Sequence, residues 1–179
     1  KIPNKILMKF LIVGYGIQGK KREKVLSNLK LECVGIVDPL IKGVDFKTLN
    51  EVPLNSYDIV IICTPEKIKY KLIKFCIKNK KHIMVEKPFN IDDVNFKIIQ
   101  KDIIKNKLIF YIAYNHRFEN SLVDMKKLIK DNFFGKLYHC NLFYGNGTAK
   151  NVKKSIWRDV GQGVISDLGS HLIDLSDFL

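Results

Sequence analysis

One stretch of the chain decides its fold: Phe10-Leu11-Ile12-Val13-Gly14-Tyr15-Gly16-Ile17-Gln18-Gly19-Lys20. An apolar run ends at a glycine, two more glycines follow at G-x-G-x-x-G spacing, and a helical pattern then extends to Leu29. In a strand–turn–helix, the first glycine permits the tight turn, the second lets a pyrophosphate approach the backbone, and the third lets helix and sheet pack closely. The N–H groups at the helix start would bind the phosphates. The stretch therefore predicts a dinucleotide site over residues 14–19, formed by Gly14, Tyr15, Gly16, Ile17, Gln18 and Gly19.

A second strand is predicted over residues 31–37, and Asp38 ends it. An acid about 20 residues past the glycines lies where the ribose hydroxyls of a dinucleotide are bound. The carboxylate would also repel a 2′-phosphate, which favours NAD as the cofactor; Lys42 is close enough in sequence to weaken this repulsion, so NADP stays open. A bare glycine-rich turn is the alternative, and the order strand, helix, strand, acid argues against it.

Strands and helices keep alternating up to Ala113. Strands are predicted over residues 57–63, 81–85 and 108–113, and the continuous apolar run within the first of them is typical of a parallel sheet covered on both faces. A short helix is predicted near residues 46–50. We therefore predict an α/β fold, a doubly wound parallel sheet forming a Rossmann domain over residues 1–114.

Ligands of such sheets bind at the carboxyl ends of the strands. Four polar or cyclic residues lie directly after predicted strands: Thr64, Pro65, Glu86 and Lys87. Thr64 is also the predicted cap of a helix that begins at Pro65-Glu66. A further helix is predicted from Asp92 or Asp93 to Lys105.

The pattern changes near Tyr114. A helix is predicted over residues 120–130, and residues 136–144 alternate, which favours a half-buried strand of an antiparallel sheet. Its inward face would consist of Tyr138, Cys140, Leu142 and Tyr144. We therefore predict that residues 115–179 begin a second, α+β domain with an open, mostly antiparallel sheet. Because the chain starts with Lys1 and ends within a helical pattern, we expect it to be a fragment.

The amino-acid composition limits the kinds of partner and the cellular location that can be expected for this chain. The net charge of +13 is compatible with nucleic-acid binding, but 28 of the basic residues are Lys and only 3 are Arg, the residue that specific nucleic-acid sites favour. A solvated basic surface is the preferred interpretation, with no nucleic-acid partner. No run of 18 apolar residues occurs, so no membrane span is predicted. Four scattered cysteines without C-x-x-C favour reduced thiols and a cytoplasmic location. The scattered histidines predict no metal site.

Five motifs follow one another along the chain: Gly14-Tyr15-Gly16-Ile17-Gln18-Gly19, Cys63-Thr64-Pro65, Glu86-Lys87-Pro88, Asn115-His116-Arg117-Phe118, and Gly161-Gln162-Gly163 with Asp167, His171 and Asp174 after it. Together they resemble the glucose–fructose oxidoreductase / inositol dehydrogenase / rhizopine-catabolism (Gfo/Idh/MocA) family. The resemblance implies a Rossmann domain that binds NAD or NADP, and a second domain that completes a substrate site. It further implies hydride transfer at a hydroxyl or keto carbon of a sugar, sugar nucleotide or cyclitol, and homo-oligomers of the full-length protein.

The resemblance assigns catalytic positions to Lys87, Asp167 and His171. It assigns cofactor contacts to Gly14, Gly16, Gly19, Asp38, Thr64, Pro65 and Glu86. The side chains suit these roles: a histidine titrates near working pH and can act as the base, and a lysine can stabilise a developing alkoxide. Asp167, one helical turn before His171, could bind substrate, tune the imidazole, or simply cap the helix.

Weaker predictions concern the substrate. Contacts are predicted for Asn115, Arg117, Trp157, Arg158 and Asp174. The alternatives are that Asn115 and Arg117 brace the turn between the domains, and that Trp157 and Arg158 are a core tryptophan and its ion-pairing neighbour. The family often has histidine where this chain has Lys69, which leaves one contact between elements open. The alternative function is a non-catalytic dinucleotide-binding sensor or assembly protein.

Overall fold

The computed structural model describes residues 8–145 and 163–179, and the chain divides into two compact units, Lys1–Ala113 and Tyr114–Leu179. The first unit alternates strands and helices as predicted. Its elements are β1 (Phe10–Val13), α1 (Ile17–Asn28), β2 (Cys33–Val37), β3 (Ile59–Ile62), α2 (Glu66–Lys78), β4 (His82–Val85), α3 (Asp93–Lys105) and β5 (Phe110–Ile112). The short helix expected in the connector after β2 is a single 3₁₀ turn, Leu49–Glu51.

The five strands form one sheet in the order β2-β1-β3-β4-β5, and every neighbouring pair is parallel. The chain runs from β1 to β2 on one side and then crosses to β3 on the other side. The strand order therefore reverses between β1 and β3, and the crevice at such a reversal is where open α/β sheets bind ligands. The predicted parallel sheet is confirmed.

Alternate residues of the central strands are buried on opposite faces of the sheet. On one face, Leu11, Val13 and Val60 pack in a cluster that includes buried residues of α2 and α3. On the other face, Ile12 and Ile61 pack against Leu26 of α1. Both faces are thus covered by helices, which is why these strands consist of continuous apolar runs.

Helices α1, α2 and α3 end in the same way, with a lysine in the left-handed region. The residues are Lys30, Lys80 and Lys107, each with φ of 54°. After α2, the amide of Lys80 donates to the carbonyl of Ile77 and the amide of Lys81 to that of Cys76. These two bonds define the Schellman motif, a helix ending at which glycine is the usual residue.

The second unit contains a 3₁₀ turn (His116–Phe118), α4 (Asn120–Lys130), a π-helical turn (Ile165–Gly169) and α5 (Ser170–Phe178). The helix predicted over residues 120–130 is confirmed. The strand predicted over residues 136–144 is wrong, because residues 136–145 form no strand and Tyr138 and Cys140 are exposed. A strand needs a hydrogen-bonded neighbour, and the described part of this unit offers none. No described helix is long and apolar enough to cross a bilayer.

Candidate functional site

The three glycines after β1 serve different purposes. Gly14 has φ of +94°, and a Cβ there would lie 2.8 Å from backbone atoms of Cys63. A Cβ on Gly19 would lie 2.1 Å from the carbonyl oxygen of Gly14. Within the described residues, a Cβ on Gly16 would meet no atom within 4 Å. The fold therefore requires glycine at the first and third positions, whereas the second borders open space of the kind a pyrophosphate needs.

The N-terminus of α1 borders the same space. Gly16 is its N-cap, and within the described residues no side chain caps the helix and no acid occupies its first turn. The first N–H groups of a helix have no partner inside the helix, and they carry the positive end of its dipole. This helix end is suited to bind a phosphate.

Asp38 holds the glycine turn from the side of β2. Its Oδ2 accepts a hydrogen bond from the Tyr15 amide at 2.7 Å, and its Oδ1 accepts from the amides of Leu40 and Ile41 at 2.9 and 3.1 Å. Partial burial opposes ionisation, but these three amide bonds outweigh it and lower the pKa of Asp38. The carboxylate is therefore charged and fixed beside the turn, and its remaining lone pairs can accept ribose hydroxyls.

Thr64 does not cap α2 as predicted, because Pro65 is the N-cap residue and no side chain of the described part of the chain bonds to this helix end. Its methyl group lies beside Gly14, 3.0 Å from where a Cβ of that glycine would be. Its Oγ1 is buried and has no hydrogen-bond partner among the described residues. Buried hydroxyls nearly always have a partner, so this atom fits a site completed by a polar ligand. Together with the open space at Gly16, it fits a dinucleotide.

The turn Glu86-Lys87-Pro88 follows β4 at the same sheet edge. The Glu86 amide donates to the carbonyl of Ile62 at 2.9 Å, which continues the ladder between β3 and β4 beyond the strands. The Glu86 carboxylate is buried and accepts from the guanidinium of Arg22, with 2.5 Å between Oε1 and Nε. The carboxylate expected to contact cofactor is thus paired with α1.

Two further residues of this first unit hold the turn after β4, and no local pattern predicts their contacts. Arg22 is one of only three arginines in the chain, which is a signal that it holds a particular partner. Lys69 is 2% exposed, and its ammonium donates to the carbonyl oxygens of Glu86 and Pro88. Nothing in the helical pattern distinguishes this lysine from its exposed neighbours. Lys69, at the position where the family often has histidine, thus links α2 to the turn after β4.

In the second unit, His171 is 4% exposed and lies among aromatic rings. The ring centroids of Tyr114 and Tyr144 are each 5.6 Å from that of His171, and the centroid of His116 is 4.6 Å away. His116, for which no sequence pattern predicts a chemical role, also contacts the Glu119 carboxylate through its ring. The predicted base therefore lies in a confined, partly aromatic environment that fixes its ring.

Asp167 lies in the π-helical turn that leads into α5, and it is 7% exposed. The residue before this turn, Val164, already has helical backbone angles, so Asp167 is not the N-cap and that alternative is wrong. Isolated π-helical turns inside helices are frequent at functional sites. Asp167 and His171 are the two buried polar residues of this segment.

Arg117 and Asp174 bind each other. The Arg117 Nε lies 2.8 Å from both carboxylate oxygens of Asp174, and its Nη2 lies 2.7 Å from Oδ1. The hydrogen bond to Asp174 raises the pKa of Arg117 above its ordinary value. This pair ties the 3₁₀ turn to α5, so both side chains brace the second unit. Asn115 is exposed, and Trp157 and Arg158 lie outside the described residues.

Across residues 8–145 and 163–179, no group of three or more His, Cys, Asp or Glu side chains is arranged to hold a metal ion.

The strand order, the open second glycine and the acid after β2 define a dinucleotide-binding α/β protein. Comparison with known families gives the particular family. The model described as "Oxidoreductase family, NAD-binding Rossmann fold" matches residues 8–114, and that of the "GFO/IDH/MocA C-terminal domain" matches residues 122–179. The chain belongs to the Gfo/Idh/MocA oxidoreductase family, as its motifs predicted.

Several of the named relatives are dehydrogenases, and one is a 2,7-anhydro-N-acetylneuraminate hydratase of Escherichia coli. A glucose-6-phosphate 3-dehydrogenase of Bacillus subtilis is 24% identical over 97% of this chain and 54% of its own length. A scyllo-inositol 2-dehydrogenase (NADP(+)) of the same organism is 26% identical over 66% of this chain and 34% of its own length. The crystal structure of scyllo-inositol dehydrogenase from Lactobacillus casei with NAD(H) and scyllo-inositol has a TM-score of 0.78 at 22% identity, covering 96% of this chain and 55% of that one. The chain thus spans about a third to about half of these curated relatives.

Proposed function

We propose that the protein containing this chain is an NAD(P)-dependent oxidoreductase that transfers a hydride between a nicotinamide cofactor and a hydroxyl or keto carbon. The substrate class is a sugar, a sugar nucleotide or a cyclitol. The homo-oligomer stays a prediction from the family resemblance, and the cytoplasmic location stays a prediction from the cysteine pattern.

One observation carries the proposal. The turn that bears Lys87 and the glycine turn both lie at the carboxyl edge of the parallel sheet, and Arg22 of α1 links them by binding Glu86. A fixed positive charge is thereby held on the same sheet edge as the phosphate-binding helix end. A protein that only bound a dinucleotide would need the helix end but not the lysine.

The residues have separate roles in this proposal. The glycine turn and the α1 N-terminus hold the pyrophosphate, Asp38 the adenosine ribose, and Thr64 Oγ1 a polar atom of the cofactor. When bound, the nicotinamide supplies the group that accepts or gives the hydride. Lys87 stabilises negative charge on the substrate oxygen. His171 exchanges the hydroxyl proton, and Asp167 tunes its imidazole.

The test uses the full-length protein that contains this chain. Lys87→Met and His171→Gln keep side-chain volume, and both are expected to lower turnover about 10²- to 10⁴-fold, the usual contribution of a positioned acid–base group. The dissociation constant for NADH, measured by fluorescence, is expected to change less than about threefold, because neither residue binds the pyrophosphate or the ribose. Lys71→Met and His139→Gln, at exposed positions, are matched controls.

Two outcomes would contradict the proposal. Near-normal turnover in Lys87→Met would remove the lysine from the mechanism. NADH binding without any turnover on a panel of sugars, sugar nucleotides and cyclitols would favour the non-catalytic sensor or assembly protein.

A further inference from the structure

Among the described residues of the first unit, Lys69 is the least exposed charged residue. It projects from α2, is 2% exposed, and donates to the carbonyl oxygens of Glu86 and Pro88, the latter at 2.5 Å. Lys87 lies between these two acceptors in the sequence. The ammonium of one lysine therefore holds the backbone on both sides of another.

The burial of the Lys69 ammonium does not by itself stabilise the fold. Among the described residues, Lys69 has two carbonyl partners and no carboxylate within salt-bridge distance. A buried ammonium without an ion partner is costly, and an apolar side chain of the same length would avoid that cost. Burial is the main cause that lowers the pKa of Lys69, to about 8; the charges of Glu66 and Glu86 oppose this shift without cancelling it, and the charge of Lys87 adds slightly to it. The packing of α2 does not by itself account for a lysine here.

The turn is held at three points. Arg22 of α1 binds the carboxylate of Glu86, while Lys69 of α2 binds the carbonyls of Glu86 and Pro88. Backbone and side chain of the turn are thus fixed by two different helices, on either side of the residue to which the proposed function assigns alkoxide stabilisation.

We propose that Lys69 is a positioning residue for Lys87: it fixes the backbone of the Glu86-Lys87-Pro88 turn and adds a second positive charge behind it. This inference rests on the proposed function, because it takes Lys87 as the group that acts on the substrate oxygen. A displacement of a catalytic group by about 1 Å can cost about 10²-fold in rate. Lys69 therefore contributes to turnover without touching the substrate.

The effect of the charge of Lys69 can be distinguished from the effect of its hydrogen bonds by a change of pH. A protonated lysine has three N–H donors and a neutral one has two, so both carbonyls stay bonded when the proton is lost. Only the positive charge disappears. The other titratable or charged groups near Lys69 are Glu66 on its own helix, Cys63 after β3, and Glu86 and Lys87 after β4.

The experiment measures turnover, NADH affinity and pH dependence in the full-length protein for three variants. In Lys69→Met, both donors and the charge are lost, and turnover is expected to fall about 10- to 100-fold while the NADH dissociation constant changes less than about twofold. In Lys69→Arg, donors and charge are kept, and turnover at pH 7 is expected within about threefold of wild type. Lys71→Met, exposed on the same helix, is expected to behave as wild type.

The pH profile is a readout that a purely structural role would not change. Wild-type turnover is expected to fall as pH rises through about 8, the pKa of Lys69. Since arginine does not lose its proton in this range, the falling limb is expected to vanish in Lys69→Arg. A limb that persists unchanged in this variant, or a wild-type profile without any limb between pH 7 and 9, would overturn the inference. If neither variant folds, the pH profile of the wild-type protein alone tests the inference.

The two proposals fail in different ways. Normal turnover in Lys69→Met together with lost turnover in Lys87→Met would overturn the positioning role and leave the proposed function intact. Normal turnover in Lys87→Met would overturn the proposed function itself.

Discussion

The Nε and Nη2 atoms of Arg22 both reach Oε1 of Glu86, so a single carboxylate oxygen joins helix α1 to the turn after β4. Glu86 is 6% exposed, so this ion pair is largely shielded from water. Arg22→Met is expected to lower the free energy of unfolding by about 2 kcal/mol, because it leaves a buried carboxylate unpaired. Urea titration measures this loss.

A double variant distinguishes pairing from packing. Arg22→Met with Glu86→Gln removes both charges, and we expect it to recover part of the stability lost in Arg22→Met alone. If the double variant lost as much unfolding free energy as the two single variants together, a direct coupling between these residues would be contradicted.

The glycine turn yields a prediction that separates folding from binding. Gly16→Val is expected to change the free energy of unfolding by no more than about 1 kcal/mol and to abolish NADH binding, since its side chain would fill the open space. Gly19→Ala is the matched control, with a Cβ 2.1 Å from the carbonyl oxygen of Gly14. It is expected to cost about 3 kcal/mol through overpacking. Tight NADH binding by Gly16→Val would place the pyrophosphate elsewhere.

Lys80, which follows the C-terminus of α2, is a position at which substitution should stabilise the protein. Lys80 has φ of 54°, a conformation that costs a non-glycine residue about 1 kcal/mol. Lys80→Gly is therefore expected to raise the free energy of unfolding by about 1 kcal/mol. Lys78→Gly, two residues earlier and inside the helix, is expected to lower it by about the same amount. Thermal unfolding of both variants checks the opposite signs.

The depressed pKa of Lys69 predicts how stability varies with pH. The pKa is about 8 in the folded protein and has an ordinary value of 10.5, so between these values the unfolded chain binds the extra proton. Stability due to this group therefore rises with pH across that window, by roughly 3 kcal/mol in total. The difference in unfolding free energy between wild type and Lys69→Met is expected to grow from pH 7 to 10, and parallel curves would contradict it.

Asp38 predicts the choice of cofactor. Its carboxylate repels a 2′-phosphate, so the full-length protein is expected to bind NADH more tightly than NADPH. Asp38→Asn removes the charge and is expected to reduce this preference about tenfold, which corresponds to about 1.4 kcal/mol. Asp45→Asn is the control, because Asp45 also accepts a backbone amide, that of Ile36. Tighter binding of NADPH by the wild type would contradict the prediction.

The sequence was sufficient for the first unit because its pattern is local. The strands of the parallel sheet are mostly apolar runs, and the glycine turn has one geometry that satisfies its steric limits. The same local reasoning failed over residues 136–144, where alternation alone predicted a strand. Alternation marks which side chains could share a face, but a strand forms only where a neighbouring strand takes its backbone hydrogen bonds.

The site was predictable only in part. Lys87 and His171 are predictions from motifs, whereas the contacts around them join residues that are distant in sequence. Lys69 bonds residues 17 and 19 positions away, and His116 and His171 are brought together by the packing of the second unit. A lysine in an amphipathic helix gives no local sign that it is buried, so these contacts required the structure.

The three amides bound by Asp38 have a consequence for how the cofactor preference of this chain could evolve. A residue without a side-chain acceptor that replaces Asp38 to admit a 2′-phosphate also releases the amides of Tyr15, Leu40 and Ile41. One side chain therefore determines both the selectivity between NAD and NADP and the geometry of the loop, and a single substitution that changes the selectivity also disturbs the loop. A selection for NADP-dependent activity should recover second-site changes in the loop after β2 that restore its geometry. The effect of a substitution at position 38 on cofactor preference is therefore expected to depend on the residues of that loop.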